Sequence, residues 1–262
     1  MKSDLNGTVS LVTGSANGIG QAIADRLAAN GSRVVYSDLR LEEAQAAAEG
    51  QPDALAYALD VTDTPRLREV IAEVAEKCGR LDVLVNNAGI GVPPDCRETF
   101  DNFSSDIWER VIKVDLDAVF EASKAAAQIM RAQEGGGRII NIASIAGLVP
   151  LQLQCAYAAA KAGVVNLTKA MAVELGGHGV LINAVAPGSI LTEGTRQLFY
   201  REDGTFHGRA QEMLDHVPLG RPGTVDEIAI AAQFLADPEN TYTNGHILTV
   251  DGGWTAGYHR DF

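Results

Sequence analysis

The stretch from Thr8 to Asn30, TVSLVTGSANGIGQAIADRLAAN, decides how the rest of the chain is read. Thr8 to Thr13 is short, apolar and β-branched, the composition of a buried strand. Gly14 to Gly20 (GSANGIG) interrupts it, and Gln21 to Asn30 continues with apolar residues at helical spacing. Strand, glycine-rich turn and helix open a dinucleotide-binding unit. The N–H groups of such a turn, and of the helix N-terminus behind it, are unpaired and carry partial positive charge, so they hold a pyrophosphate. The glycines are spaced G-x-x-x-G-x-G and not G-x-G-x-x-G, so the flanking strand and helix carry as much of the assignment as the glycines do.

Further along, the pattern repeats. Arg33 to Ser37 predicts a second strand ending at Asp38, and Leu41 to Glu49 an alanine-rich helix. Ala54 to Leu59 predicts a third strand with Asp60 and Val61 at its end, Thr64 to Cys78 an amphipathic helix, and Leu81 to Val85 a fourth strand running into Asn86 and Asn87. A Pro-containing loop, Gly91 to Ser105, leads to one long helix, Asp106 to Arg131, with Trp108, Val111, Ile112, Val119 and Phe120 as candidate core residues. Arg138 to Ala143 is a fifth strand with Ser144 at its end, Cys155 to Gly176 a helix, and Val180 to Ala186 a sixth strand closed by Pro187 and Gly188. Leu191 to Gly223 is long and polar, as a substrate lid is. A helix, Val225 to Ala236, and a last strand, His246 to Val250, follow. Strands alternating with helices imply an α/β fold with a parallel sheet covered on both faces, and ligands at the carboxyl ends of its strands. Gly14, Asp38, Asp60 and Asn87 all fall at such ends. No repeat or linker divides the chain, so residues 1–262 read as one domain.

Composition excludes several classes of function. A net charge of −13 argues against nucleic acid or an anionic membrane as partner. No apolar run approaches a membrane span, and the first residues lack the apolar core of a signal sequence. Cys78, Cys96 and Cys155 are odd in number and widely spaced, which predicts reduced thiols in the cytoplasm and no metal site.

The chemistry centres on Tyr157 and Lys161, four residues apart and so one turn from each other on one helix face. A free phenol titrates near about 10, which makes it a poor base at neutral pH unless a nearby cation favours the anion. Asp38 follows the glycines by about the interval at which an acid accepts hydrogen bonds from a ribose diol, and it would repel a 2′-phosphate. With no lysine or arginine inside the turn, NAD is expected over NADP, although Arg40 stands two residues from Asp38.

TGSANGIG (13–20), NNAG (86–89), Ser144, YAAAK (157–161) and PGSILT (187–192) stand in the order and at the spacing of the short-chain dehydrogenase/reductase family, which the chain resembles over essentially its whole length. That resemblance implies a single-domain Rossmann fold, doubly wound, with a seven-stranded parallel sheet. It also implies a homotetramer or homodimer, and hydride transfer between a nicotinamide and an alcohol or ketone. It implies that Tyr157 is the acid/base, Lys161 its partner and a ligand of the nicotinamide ribose, and Ser144 a donor to the substrate oxygen. Gly14, Asn17, Gly18, Ile19 and Gly20 would be the phosphate turn, Asp38 the adenosine-ribose acid, and Asp60 and Val61 the adenine contacts. Asn87 would meet a cofactor ribose, Pro187 and Gly188 would also bind the cofactor, and Ile190 and Thr192 would meet the carboxamide.

One position departs from the family pattern. Where the family usually carries asparagine as a fourth catalytic residue, this chain has Asp115. An ionised Asp115 would favour Lys161 as a cation and oppose the Tyr157 phenolate. For the substrate, Gln152 and Gln154 beside the serine suggest a sugar, polyol or sugar acid, and Arg260 in the tail could read an acid group across a subunit interface. A 3-oxoacyl or other carbonyl reductase is the alternative. A dinucleotide sensor without turnover would leave the joint presence of Ser144, Tyr157 and Lys161 unexplained.

Overall fold

The computed structural model describes residues 2–192 and 208–257. Seven parallel strands form one sheet in the order β3-β2-β1-β4-β5-β6-β9. They are β1 (Val9–Thr13), β2 (Arg33–Asp38), β3 (Leu55–Ala58), β4 (Val83–Asn86), β5 (Gly137–Ile142), β6 (Val180–Pro187) and β9 (Ile247–Val250). β7 (Ile190–Leu191) and β8 (Gly223–Thr224) make a separate two-stranded parallel clasp. The order reverses at β1, where β2 pairs on one side and β4 on the other, opening the crevice that doubly wound sheets use for ligands.

The two sheet faces follow from side-chain alternation. Val12, Val34, Val85 and Ile140 point to one face and pack with Ile23 and Leu27 of α1 (Gly18–Ala29), Ala44 of α2 (Leu41–Ala48) and Ile228 of the helix Val225–Ala236. Their neighbours Leu11, Val35, Leu84 and Ile139 point to the other, against Leu67, Val70 and Ile71 of α3 (Thr64–Cys78) and Met130 of the helix Ala118–Ala132. α3 begins where Asp63 accepts from Arg66 N and ends at Gly79, whose φ of 79° is the left-handed C-cap that glycine supplies without strain.

The long helix expected over 106–131 is three pieces: α4 (Ser105–Ile112), a π-helical turn (Lys113–Asp117) and α5 (Ala118–Ala132). Val111 and Val119 are buried as expected, but Trp108 and Phe120 lie on the outward face, 39% and 45% exposed. α6 (Cys155–Leu175) carries the Tyr–Lys pair. α7 (Gly208–Leu214) and α8 (Val225–Ala236) complete the described helices. Among the described residues no helix is long and apolar enough to cross a membrane.

Candidate functional site

A cleft of about 800 Å³ opens at the carboxyl ends of β1, β2, β3 and β4. Gly14, Asn17, Gly18, Ile19, Gly20, Asp38, Asp60, Val61, Asn87 and Thr192 all line it. The glycine turn is shaped by contacts a side chain would prevent. Gly14 and Gly18 have φ of 62° and 59°. A Cβ on Gly20 would stand 2.2 Å from the Gly14 carbonyl oxygen, so only glycine lets α1 start this close to β1. Asn17 occupies the N-cap of α1 in extended backbone without a side-chain cap, and no acid sits in the first turn. The first amides of α1 are thus left for an anion.

Asparagine and acid side chains hold the turn in place. The Asn87 amide donates to Thr13 O at 3.0 Å and Gly14 O at 2.8 Å, while Thr13 Oγ1 accepts from Asn87 N and Ala88 N. Asn86 donates to Ser123 Oγ and Asn141 Oδ1 inside the protein, bracing β4 against β5 and α5. Asp38 accepts from Ala16 N at 3.1 Å and Leu39 N at 2.8 Å, so the carboxylate at the end of β2 also pins the turn after β1. Arg40 is engaged by Glu43 at 2.5 Å on the exposed surface of α2. Asp60 Oδ1 accepts from both N and Oγ1 of Thr62. Uncapped amides, a turn shaped by glycines and a carboxylate at the neighbouring strand end fit a nicotinamide dinucleotide.

Pro187, Gly188 and Ile190 do not line this cleft. Gly188 N donates to Val250 O, and Ile190 is buried in the core, so its side chain faces packing partners. The clasp with β8 explains this: Ile190 pairs with Gly223, whose missing Cβ makes room for the Ile190 Cδ1 methyl.

Beyond Gly89 lie the remaining candidates. Ser144 ends the run after β5 and caps a 3-10 turn (Ile145–Gly147), its Oγ accepting from Ala146 N at 3.1 Å. That turn rests on α6: a Cβ on Gly147 would lie 2.6 Å from the main-chain carbonyl of Lys161. Tyr157 is half-buried in the first turn of α6, packed beside Val92 and Val111. Lys161 is 4% exposed, and its Nζ donates to Ile142 O at 3.1 Å and lies 5.7 Å from the centre of the Tyr157 ring. Asp115, in the π turn, is fully buried; its Oδ1 accepts from Ile90 N at 2.8 Å and its Oδ2 stands 3.2 Å from Lys161 Nζ. The latter contact is an ion pair without hydrogen-bond alignment, and Oδ2 has no other partner among the described residues. Burial pushes the Lys161 ammonium down, but attraction to Asp115 and then to Tyr157 outweighs it and holds the group above the ordinary lysine value.

Gln154 is half-buried at the N-cap position of α6, without a capping bond. Leu153 before it adopts φ of 62°, unusual for a bulky residue. Arg260 and residues 193–207 of the expected lid lie outside the described residues. The structure also adds residues to the cleft. Asp106, Glu109, Arg110 and Lys113 line its outer wall. Their spacing of three and four marks one helix face, a signal that could have picked them out.

Ser144, Tyr157 and Lys161 do not line the cleft themselves. Gly89 of its wall lies against Lys161, and a dinucleotide cleft beside a tyrosine and a buried lysine one helical turn apart is the arrangement of a nicotinamide-dependent oxidoreductase acting on an alcohol carbon. A family model described as Enoyl-(Acyl carrier protein) reductase matches residues 14–255. The trans-4-hydroxycyclohexanecarboxylate dehydrogenase of Sinomonas cyclohexanicum is 41% identical, over 95% of this chain and 93% of its own. The galactitol 2-dehydrogenase (L-tagatose-forming) of Cereibacter sphaeroides is 39% identical, over 96% of both chains. The crystal structure of levodione reductase superposes with a TM-score of 0.87 at 34% identity, over 97% of this chain and 100% of that one. The chain belongs to the short-chain dehydrogenase/reductase family.

Proposed function

We propose that this protein is an NAD-dependent dehydrogenase that interconverts a secondary alcohol and its ketone. The observation that carries the reading is the buried Lys161 ammonium beside the Tyr157 ring, one glycine away from the dinucleotide cleft. The bound nicotinamide supplies the hydride acceptor or donor. Tyr157 takes the proton of the alcohol, or returns it to the carbonyl, with the Lys161 charge favouring the phenolate. Ser144 Oγ already accepts from Ala146 N, which leaves its hydroxyl proton to donate to the substrate oxygen. Asp38 accepts from the adenosine ribose, and the diversion of Arg40 to Glu43 supports NAD over NADP. Asp60, Val61, Asn87 and Thr192 contact the adenine and nicotinamide ends of the same ligand.

The residues act as one domain, with a substrate lid at about 191–223 whose base is clasped by β7 and β8. A homotetramer in the cytoplasm fits the family and the three unpaired cysteines. For the substrate, a polyol, sugar or sugar acid agrees with Gln152 and Gln154 and with the galactitol enzyme. A second reading, a 3-oxoacyl or alicyclic substrate with a hydrocarbon body, is favoured by exposed Leu148, Val149 and Leu153 between Ser144 and Tyr157. The family model's acyl-carrier-protein description points the same way.

The test is nicotinamide absorbance with NAD or NADP against galactitol, 2,3-butanediol, trans-4-hydroxycyclohexanecarboxylate and a 3-oxoacyl thioester. Tyr157→Phe should lower kcat at least about 100-fold with the best of them. Turnover surviving that change would remove Tyr157 from the reaction.

A further inference from the structure

The position of Asp115 in the fold sets a carboxylate against a buried ammonium. Two groups converge on it from different elements: Ile90 N, after β4, donates to Oδ1, and the Lys161 ammonium, from α6, stands 3.2 Å from Oδ2 as an ion pair. A carboxylate that accepts from Ile90 N through one oxygen presents negative charge to Lys161 with the other, whereas an amide held the same way would turn its NH2 toward the ammonium. Gly89 lets the connection after β4 lie against this pair, since a Cβ there would come within 3.3 Å of Asp115 Oδ2 and 3.4 Å of Lys161 Nζ. Asp115 thereby links the wall of the dinucleotide cleft to the lysine.

Among the described residues, the other groups around Lys161 carry no charge. β5 offers the Ile142 carbonyl, the turn after Ser144 offers main chain at Gly147, and the connection after β4 offers main chain at Gly89 and Ile90. Lys113 and Asp117 of the π turn are exposed. Among the described residues, Asp115 and Tyr157 are the two groups whose charge acts on Lys161. Water does not reach Asp115, so its charge is poorly screened.

We infer that Asp115 is a positioning residue whose buried negative charge fixes Lys161 as a cation and opposes ionisation of Tyr157, so that the proton step runs at higher pH than with a neutral residue at 115. The inference rests on the acid/base reading of Tyr157. Its sign does not depend on which member of the Tyr157–Lys161 pair gives up the first proton. Removing a nearby anion makes that first proton leave at lower pH in either case.

The test is a tyrosinate absorbance titration with NAD bound, in the unaltered protein and in Asp115→Asn. Subtraction of the matching Tyr157→Phe protein isolates one of the six tyrosines. The pH profile of kcat/KM for the best alcohol of the panel is recorded alongside. Both midpoints should fall by about one pH unit or more. Asp115→Ser, also neutral, should shift them the same way, with NAD binding as the check on folding. Midpoints that stay in place or rise in a variant that binds NAD overturn the inference. So does failure of both neutral variants to fold, which would make Asp115 a structural anion only. Full turnover in Tyr157→Phe would instead strike the acid/base reading, while the titration would still report the coupling of charges.

Discussion

Replacing Asp38 should change which dinucleotide the protein uses. Its carboxylate lines the cleft and accepts from Ala16 N and Leu39 N, leaving lone pairs on both oxygens for a ribose diol. Hydrogen bonds to a charged group contribute about 1.5–3 kcal/mol, so Asp38→Ala should lower kcat/KM with NAD by about 10- to 150-fold. With NADP the sign reverses. Two unit charges about 5 Å apart in a water-like medium repel by roughly 0.8 kcal/mol, and a 2′-phosphate carries about two. Relief of that repulsion should raise kcat/KM with NADP by about 10-fold, for a combined change in preference of about 100-fold or more. Part of the NAD loss would come from the turn, because Ala16 N loses its acceptor. Asp38→Asn separates the two effects, keeping an acceptor for Ala16 while removing the charge. The assay is initial rates with each cofactor and one alcohol at neutral pH. A preference ratio that stays within about threefold of the unaltered protein would refute the role of Asp38.

Gly20→Ala should destabilise the protein by about 1–3 kcal/mol and weaken dinucleotide binding, because the new methyl meets the Gly14 carbonyl and the Asn87 amide; thermal melts and cofactor titration check both. Lys161→Met should cost about 3–5 kcal/mol in urea unfolding by leaving Asp115 buried and unpaired, and adding Asp115→Leu should recover most of it. Glu227, in the capping box of α8, is held down to about 2 first by Arg221 and then by Thr224 N. Its folded value lies below its unfolded one, so its stabilisation is present above about 4.5 and is lost as pH falls through about 2. Glu227→Gln should therefore lower Tm at neutral pH, with the difference from the unaltered protein closing as pH approaches 2.

Much of this site is local chemistry and could be read along the chain. Strand, glycine turn and helix follow from composition and spacing, and the acid at the end of the next strand follows from counting onward. The burial pattern of β1 and β4, buried throughout, is that of strands covered on both faces. Arg40 needed the structure, although its Glu43 partner is a helical neighbour three residues on. Trp108 and Phe120 were misplaced as core because hydrophobicity does not say which face of α4 and α5 meets the sheet.

The sequence by itself determined which side chains are present and where each lies along its strand or helix. From that follow the alternation of strands and helices, the glycine turn, the place of Asp38 and the four-residue interval between Tyr157 and Lys161. Only the tertiary structure decided what those groups face. The pairing of β4 with β5 brings the Gly89 connection beside the strand that ends before Ser144. The π turn puts Asp115 against Lys161, and the β7–β8 clasp turns Ile190 into the core. The physical reason is that spacing and turn chemistry act over a few residues, whereas a buried charge takes its properties from partners that sheet order alone brings into reach.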